Sequence, residues 1–326
     1  RTSLSGGFSA KEIHESPWPR SEVSVILVTG AAGKTGQAAI RALSARGQAV
    51  RALVHRPQQA PVAIAAGAQD VVAGDMRDPA VLEQALAPGR IAVRAVYHIC
   101  PNMSSDEFSI GRVALRPARA AGLEQVVYHS VLHPQTESMP HHWQKLRVVE
   151  LLFEAGLPFT ILQPAAYMQN LLAYWDQIVR QGVYAVPYAT GTRLGMVDLE
   201  DVAEAAAIVL TEEGHAGATY ELAGTDVLSP ADVARVLERQ LARPVRARAV
   251  PLDEWERGAR ASGLGEYQVE TLLQMFRYYE RHGFWGNPRV LTWLLRRPPT
   301  TFASFVERVS GSLQGEPSAS NEAPRP

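Results

Sequence analysis

The chain has 326 residues, 46% of them hydrophobic, and 32 basic against 33 acidic side chains leave a formal charge of -1. That length can bury a substantial core in one large or two modest units, and so even a balance gives no electrostatic footprint for nucleic acid or an anionic membrane. Cys100 is the only cysteine, which excludes an intrachain disulfide; with no stretch apolar enough to span a bilayer and no leader-like N-terminus, the expectation is a cytoplasmic protein.

Residues 1–22 are rich in Ser, Gly and Pro and predict a loose arm. Val23–Val28 is short, β-branched and apolar on both faces, the pattern of a buried parallel strand. Gly30, Gly33 and Gly36 follow at three-residue spacing, and Gln37–Arg46 then predicts a helix with Ile40 and Leu43 on one face and Gly47 ending it. A turn of this kind presents free backbone N–H groups and the positive end of a helix dipole, which suits a pyrophosphate. The glycines serve three steric ends, namely a tight turn, close phosphate approach, and close packing of helix on strand.

The second strand is placed at Gln48–Val54. An NAD site wants a carboxylate at its end for the ribose 2′-hydroxyl, but His55 and Arg56 stand there, no acid precedes Asp70, and Lys34 lies within the glycine turn. Cations pair with a 2′-phosphate where a carboxylate would repel it, so NADP(H) is expected in preference to NAD. Farther on, strands are expected at Asp70–Asp75, Ala95–Ile99, Gln125–Ser130 and Phe159–Gln163, and helices at Pro79–Ala87, Ile110–Ala121 and Pro140–Ala155. Alternation of this kind implies βαβ units and a doubly wound parallel sheet of α/β class. A further helix, Glu266–His282, carries Tyr267, Met275, Phe276, Tyr278 and Tyr279, and residues 311–326 form a polar tail expected to be disordered.

Several segments occur in an order that resembles the NmrA-like group of the atypical short-chain dehydrogenase/reductases: the glycine turn, Gly74-Asp75-Met76, Tyr97-His98-Ile99, Tyr128-His129-Ser130, Lys145 in a helix, Leu162-Gln163-Pro164, Tyr167-Met168-Gln169-Asn170 and Val197 to Ala203. The resemblance spans roughly Val23 to Val309. It implies a Rossmann-type unit over residues 23–165, rejoined by 190–225, which carries NADP(H), and a smaller, mostly helical substrate-binding portion over 166–310. On that resemblance Gly30, Ala32, Gly33, Lys34, Thr35 and Gly36 would hold the phosphates and Arg56 the 2′-phosphate. Asp75 and Met76 would lie against adenine, and Ile99, Cys100, Pro101, Pro164 and Lys145 would line the way to the nicotinamide.

Reductases of the parent superfamily use a strand-five Ser and a Tyr-x-x-x-Lys pair on the next helix. Ser130 and Lys145 fit the outer two positions, but His141 stands where the Tyr belongs. His141 and Lys145 lie one helical turn apart and face the same way. The expectation is that Lys145 binds ribose hydroxyls while His141 or Ser130 handles the substrate proton, the imidazole pKa lying near neutrality when unperturbed and being depressed by the nearby lysine. His129, His133, His141 and His142 lack the arrangement of a metal site, and no metal is expected.

Tyr167, Gln169 and Asn170, beyond the sixth strand, and His133, after the fifth, are candidate substrate contacts. Tyr174, Trp175, Tyr184 and Tyr188 are candidates to roof a pocket for a flat, apolar molecule, although aromatics at such spacing more often pack a core. The function expected is NADPH-dependent reduction of a carbonyl, quinone or conjugated double bond. The alternatives are a non-catalytic NADP(H) sensor acting on a protein partner, or a non-redox isomerase or cyclase on the same fold.

Overall fold

A computed structural model describes residues 24–87 and 92–314; the expected arm, Val23 and the tail past residue 314 lie outside the described residues. In chain order the elements are β1 (Ser24–Val28), α1 (Lys34–Ala45), β2 (Ala49–Val54), α2 (Ala60–Ala65), β3 (Asp70–Ala73), α3 (Pro79–Leu86), β4 (Ala92–His98), α4 (Glu107–Ala120), β5 (Gln125–His129), α5 (Pro140–Glu154) and β6 (Phe159–Pro164). They continue with β7 (Ala166–Tyr167), α6 (Trp175–Gln181), β8 (Val183–Val186), β9 (Leu194–Val197), α7 (Leu199–Thr211), β10 (Thr219–Leu222), β11 (Val227–Leu228), α8 (Pro230–Leu241), β12 (Arg246–Ala249), α9 (Leu252–Ala261), α10 (Glu266–His282), α11 (Arg289–Leu295) and α12 (Phe302–Gln314). Helix α2, a short helix after β2, was not foreseen, and α12, whose apolar face carrying Phe302, Phe305 and Val306 is buried, runs on to Gln314, four residues into the segment expected to be disordered.

Seven strands form one sheet in the order β10-β6-β5-β4-β1-β2-β3, all pairs parallel. Order reverses beside β1, leaving a crevice at the carboxyl ends of β1 and β4, the place where such sheets bind ligands. Strand alternation sorts the core into two layers. Ile26 and Val28 pack with Ile40 and Leu43 of α1, Val202 to Leu210 of α7 and Leu291, Leu294 and Leu295 of α11. Val25 and Leu27 pack with Leu82 and Leu86 of α3, Ile110 of α4, and Val148, Val149 and Leu152 of α5.

Of the span 190–225, β9 joins β7 and β11 in a small separate sheet, α7 packs against α1, and β10 adds the seventh strand beside β6. A further core gathers Met168, Leu171, Ile178, Tyr184, Val186, Val233, Leu237, Phe302 and Phe305, with Tyr174, Trp175 and Tyr188 packed against it. The four aromatics considered as a pocket roof are thus packing residues, Tyr174 and Tyr184 meeting edge to face at 5.7 Å. Asp198 and Asp201, fully buried at the start of α7, are paired with Arg308 at 2.5 Å and Arg297 at 2.8 Å, tying the C-terminal helices to the sheet. Among the described residues no helix is long and apolar enough to cross a membrane.

Candidate active site

The glycine turn joins β1 to α1 and is stapled to β4. The Thr29 hydroxyl donates to the Ile99 carbonyl at 3.0 Å and accepts from the Ile99 amide at 2.8 Å. Gly30 has φ +59°, the left-handed region that favours glycine. A Cβ on Gly36 would fall 2.5 Å from the Gly30 carbonyl oxygen and 2.7 Å from the Ala31 Cα, so only glycine lets α1 sit this close to the turn. Gly33 is the extended N-cap and offers no side-chain acceptor. The first-turn amides of Lys34, Thr35 and Gly36 consequently have no helical carbonyl to reach and face outward with the positive end of the dipole. Gln37 braces the turn by donating to the Ala32 carbonyl at 2.7 Å. The cradle fits a pyrophosphate.

Lys34, at the start of α1, and Arg56, just past the end of β2, are both exposed and available to an anion at this edge of the sheet. Asp75 follows β3, its carboxylate held by Arg77 at 2.6 Å and by the Arg77 amide, and these bonds pull its pKa down to about 2. Met76, Ile99 and Cys100 are buried, Pro101 is exposed, and the Cys100 thiol is pushed up by burial.

The carboxyl end of β5, beside β4, carries a further polar cluster. The Lys145 ammonium on α5 donates to Glu107 Oε1 of α4 at 2.8 Å and to the His129 carbonyl at 3.2 Å. The Tyr128 hydroxyl donates to the same Glu107 oxygen at 2.8 Å. On the opposite face of the sheet His129 Nδ1 lies 2.6 Å from the Tyr97 hydroxyl and His129 Nε2 lies 2.6 Å from the Tyr167 hydroxyl. Burial first, then the Lys145 charge, pulls the His129 pKa down to about 3, so the ring is neutral and donates to one tyrosine while accepting from the other. Ser130 is buried and its Oγ has no partner among the described residues. A buried hydroxyl left without a partner is costly in a folded chain and marks a place for a ligand's polar atom.

The His141 pKa is depressed, as the nearby lysine leads one to expect, but burial is the larger cause: desolvation, with His142 and Lys145 nearby, pulls it down to about 2. Its Nδ1 is buried without a partner, and its ring meets His142 edge to face at 4.4 Å. A ring so reluctant to take a proton is poorly suited to deliver one. His142 donates from Nδ1 to the His133 carbonyl at 3.1 Å, and the rings of His133 and His142 both meet Phe284 edge to face. His133 itself has φ +52°, and it lines the same wall.

The four substrate candidates do not form one surface. Gln169 was expected at the ligand, but its amide is spent on structure: Nε2 donates to Asp198 Oδ1 at 2.6 Å, and Oε1 accepts from the Leu199 amide at 3.0 Å. Tyr167 is packed against Ala38, Leu199 and Ala203 with its hydroxyl on His129, while Asn170 is exposed. Glu107 and Tyr97 were missed. Glu107 carried a legible signal, since it lies on the apolar stripe of α4 with Ile110, Gly111 and Ala118, where a carboxylate has no reason to be without a buried partner. Among the described residues no group of three or more His, Cys, Asp or Glu is placed to hold a metal ion.

The sequence pattern of the NmrA-like family matches residues 22–308. The NAD(P)H azoreductase of Xenophilus azovorans is 28% identical over 284 residues, covering 87% of this chain and 97% of that protein. Quinone oxidoreductase 2 of Escherichia coli is 26% identical over 287 residues, covering 87% and 98%. The crystal structure of that quinone oxidoreductase with NADPH is similar over 87% of this chain and 99% of its own, with 26% identity and a TM-score of 0.76. The NADP(H) complex of Citrobacter sp. triphenylmethane reductase, 23% identical, has the same fold at a TM-score of 0.75, covering 87% of this chain and 99% of its own.

Proposed function

The chain belongs to the NmrA-like family, and from that premise we propose that it is an NADPH-dependent reductase of a quinone, a conjugated carbonyl or a comparable flat, apolar acceptor. Support for the cofactor comes from the Gly30–Gly36 cradle, where a Cβ on Gly30 or Gly36 would collide with backbone, and from the exposed Lys34 and Arg56 at the same edge. Relatives named as an NAD(P)H azoreductase and a quinone oxidoreductase, covered nearly end to end, support the reaction class. In this assignment residues 23–165, rejoined by 190–225, form the cofactor unit and the remainder of 166–310 the substrate unit.

The observation that carries a reaction, rather than binding alone, is the buried, unpartnered Ser130 hydroxyl on the residue that follows the carbonyl gripped by Lys145. When bound, NADPH supplies a hydride to the acceptor. Lys145 has three N–H groups, two already committed to Glu107 and the His129 carbonyl, and the third is free for a ribose hydroxyl. Ser130 donates a hydrogen bond to the acceptor's oxygen and orients it, and the proton that completes the reduction comes from water. His141 stays neutral and shapes the wall beside His142 and Phe284. With the Lys145 charge balanced by Glu107 and the nearby histidines neutral, the site favours an uncharged acceptor.

Mixing the protein with NADPH and a panel of quinones, enones and azo dyes, and following loss of NADPH fluorescence, tests this reading. Oxidation that depends on acceptor and protein is expected, with Ser130→Ala raising KM for the acceptor. The His at position 141 favours one rival, a sensor that binds NADP(H) without turning it over; tight binding with no oxidation across the panel would establish that instead.

A further inference from the structure

We propose that Glu107 is a positioning residue for cofactor binding: it fixes the Lys145 ammonium at the end of β5 so that its one uncommitted N–H meets the ribose of a dinucleotide. The proposal rests on the cradle holding NADP(H), as inferred above.

Glu107 is 2% exposed and sits among apolar residues of α4. Its carboxylate is fixed from two sides at once, by the Tyr128 hydroxyl and by Lys145, each at 2.8 Å. The helices that carry the pair are in close contact, because a Cβ on Gly111 would fall 2.8 Å from both methyls of Val148. That proximity lets a short carboxylate reach across from α4 to α5.

As a stability device the pair is poorly motivated. A buried ion pair generally gains no more than a well-packed apolar pair, and Leu at position 107 would continue the stripe it interrupts. What an apolar pair could not provide is a cation with a fixed direction. The His129 carbonyl supplies the second anchor, and it belongs to the strand whose next residue is Ser130. Two anchors on different elements leave the ammonium one orientation. Unpaired, a lysine is a flexible stem with a rotating head, and ordering it would weaken binding.

The surroundings offer Lys145 no substitute for Glu107. His98 and Cys100 approach from β4, Tyr128 and His129 from β5, His141 and His142 from α5 itself, and Tyr267 of α10 faces Glu107. None of these is an anion at neutral pH, since burial pulls the histidines toward neutrality and pushes the thiol and hydroxyls up.

A double-mutant cycle on NADPH affinity, read by cofactor fluorescence, tests the proposal. Glu107→Gln retains an acceptor oxygen but no charge, and is expected to weaken binding about 3- to 10-fold; in a Lys145→Met background the same change should alter affinity less than about 2-fold. In steady state Glu107→Gln should raise KM for NADPH with kcat at saturation little changed. Equal losses in both backgrounds, or none in either, would overturn the proposal by giving Glu107 a structural role only. Tyr128→Phe, which removes one of the bonds fixing the carboxylate, provides a second variant if Glu107→Gln fails to fold, with a smaller loss that should also vanish in the Lys145→Met background. Absence of NADPH binding by the wild-type protein would instead remove the cofactor assignment, and this proposal with it.

Discussion

Tyr128 and His129 are neighbours on β5, yet they project to opposite faces of one sheet and meet opposite solutions to the same problem. On the side of α4 and α5, Tyr128 joins a carboxylate and an ammonium, Glu107 and Lys145, whose charges are 3% and 14% exposed. On the side of α1 and α7, His129 lies between Tyr97 and Tyr167 in a chain without charge. On the charged side the loss of either partner is destabilising, because it leaves the other as a poorly solvated ion. The neutral side needs only that one proton sit on one nitrogen. One face can therefore hold a cation toward a ligand, while the other can fix geometry but exerts little field.

The largest expected effect breaks the charged side. Glu107→Leu leaves Lys145 buried and unpaired and should cost about 3–5 kcal/mol in denaturant unfolding, whereas Glu107→Leu with Lys145→Met should recover most of that loss. A single variant as stable as wild type would mean that the ammonium simply escapes to water. Next comes the neutral side: His129→Phe strands the Tyr97 and Tyr167 hydroxyls and should cost about 1–3 kcal/mol, and Tyr167→Phe, which removes one end of the chain, about 1 kcal/mol.

A pH series sharpens the contrast further. Burial holds His98 down to about 4, His129 to about 3 and His142 to about 4. These values lie below that of the unfolded chain, so between roughly pH 6.5 and 4 the unfolded state binds more protons, and stability falls as pH falls. Each such histidine contributes up to about 1.4 kcal/mol per pH unit across that window. Melting temperature should drop from pH 7 to pH 5, and His129→Phe should flatten the drop by one histidine's share; an unchanged slope would remove His129 from the acid-sensitive set. The smallest effect belongs to an exposed pair. Arg180 and Asp176 lie 2.6 Å apart with side chains 78% and 77% exposed, and Asp176→Asn should give no resolvable change in melting temperature.

Strands β1 to β6 are legible in the sequence to within about three residues at each end because each carries its own apolar run and its own Gly or Pro punctuation, and local pattern suffices to mark such elements. The glycine turn is legible for the same reason. Gln169 is misleading because its sequence neighbours suggest a ligand, whereas its partners, Asp198 and Leu199, lie about thirty residues away in the chain. Residues 311–314 mislead because their polar composition hides the last turn of a helix held by Phe302, Phe305 and Val306 upstream.

By itself the sequence determined a doubly wound sheet and the turn at Gly30 to Gly36, since periodicity and steric necessity act over a few residues; Ser130 and Lys145 stood out only through the family resemblance. Tertiary structure decided what those residues meet. Only the approach of α4 to α5 gives Lys145 its carboxylate, only the pairing of β4 with β5 and the return after β6 set His129 between two tyrosines, and only burial carries the His141 pKa far below its ordinary value. Desolvation and ion pairing depend on what surrounds a group in space, and the linear order of residues does not display that.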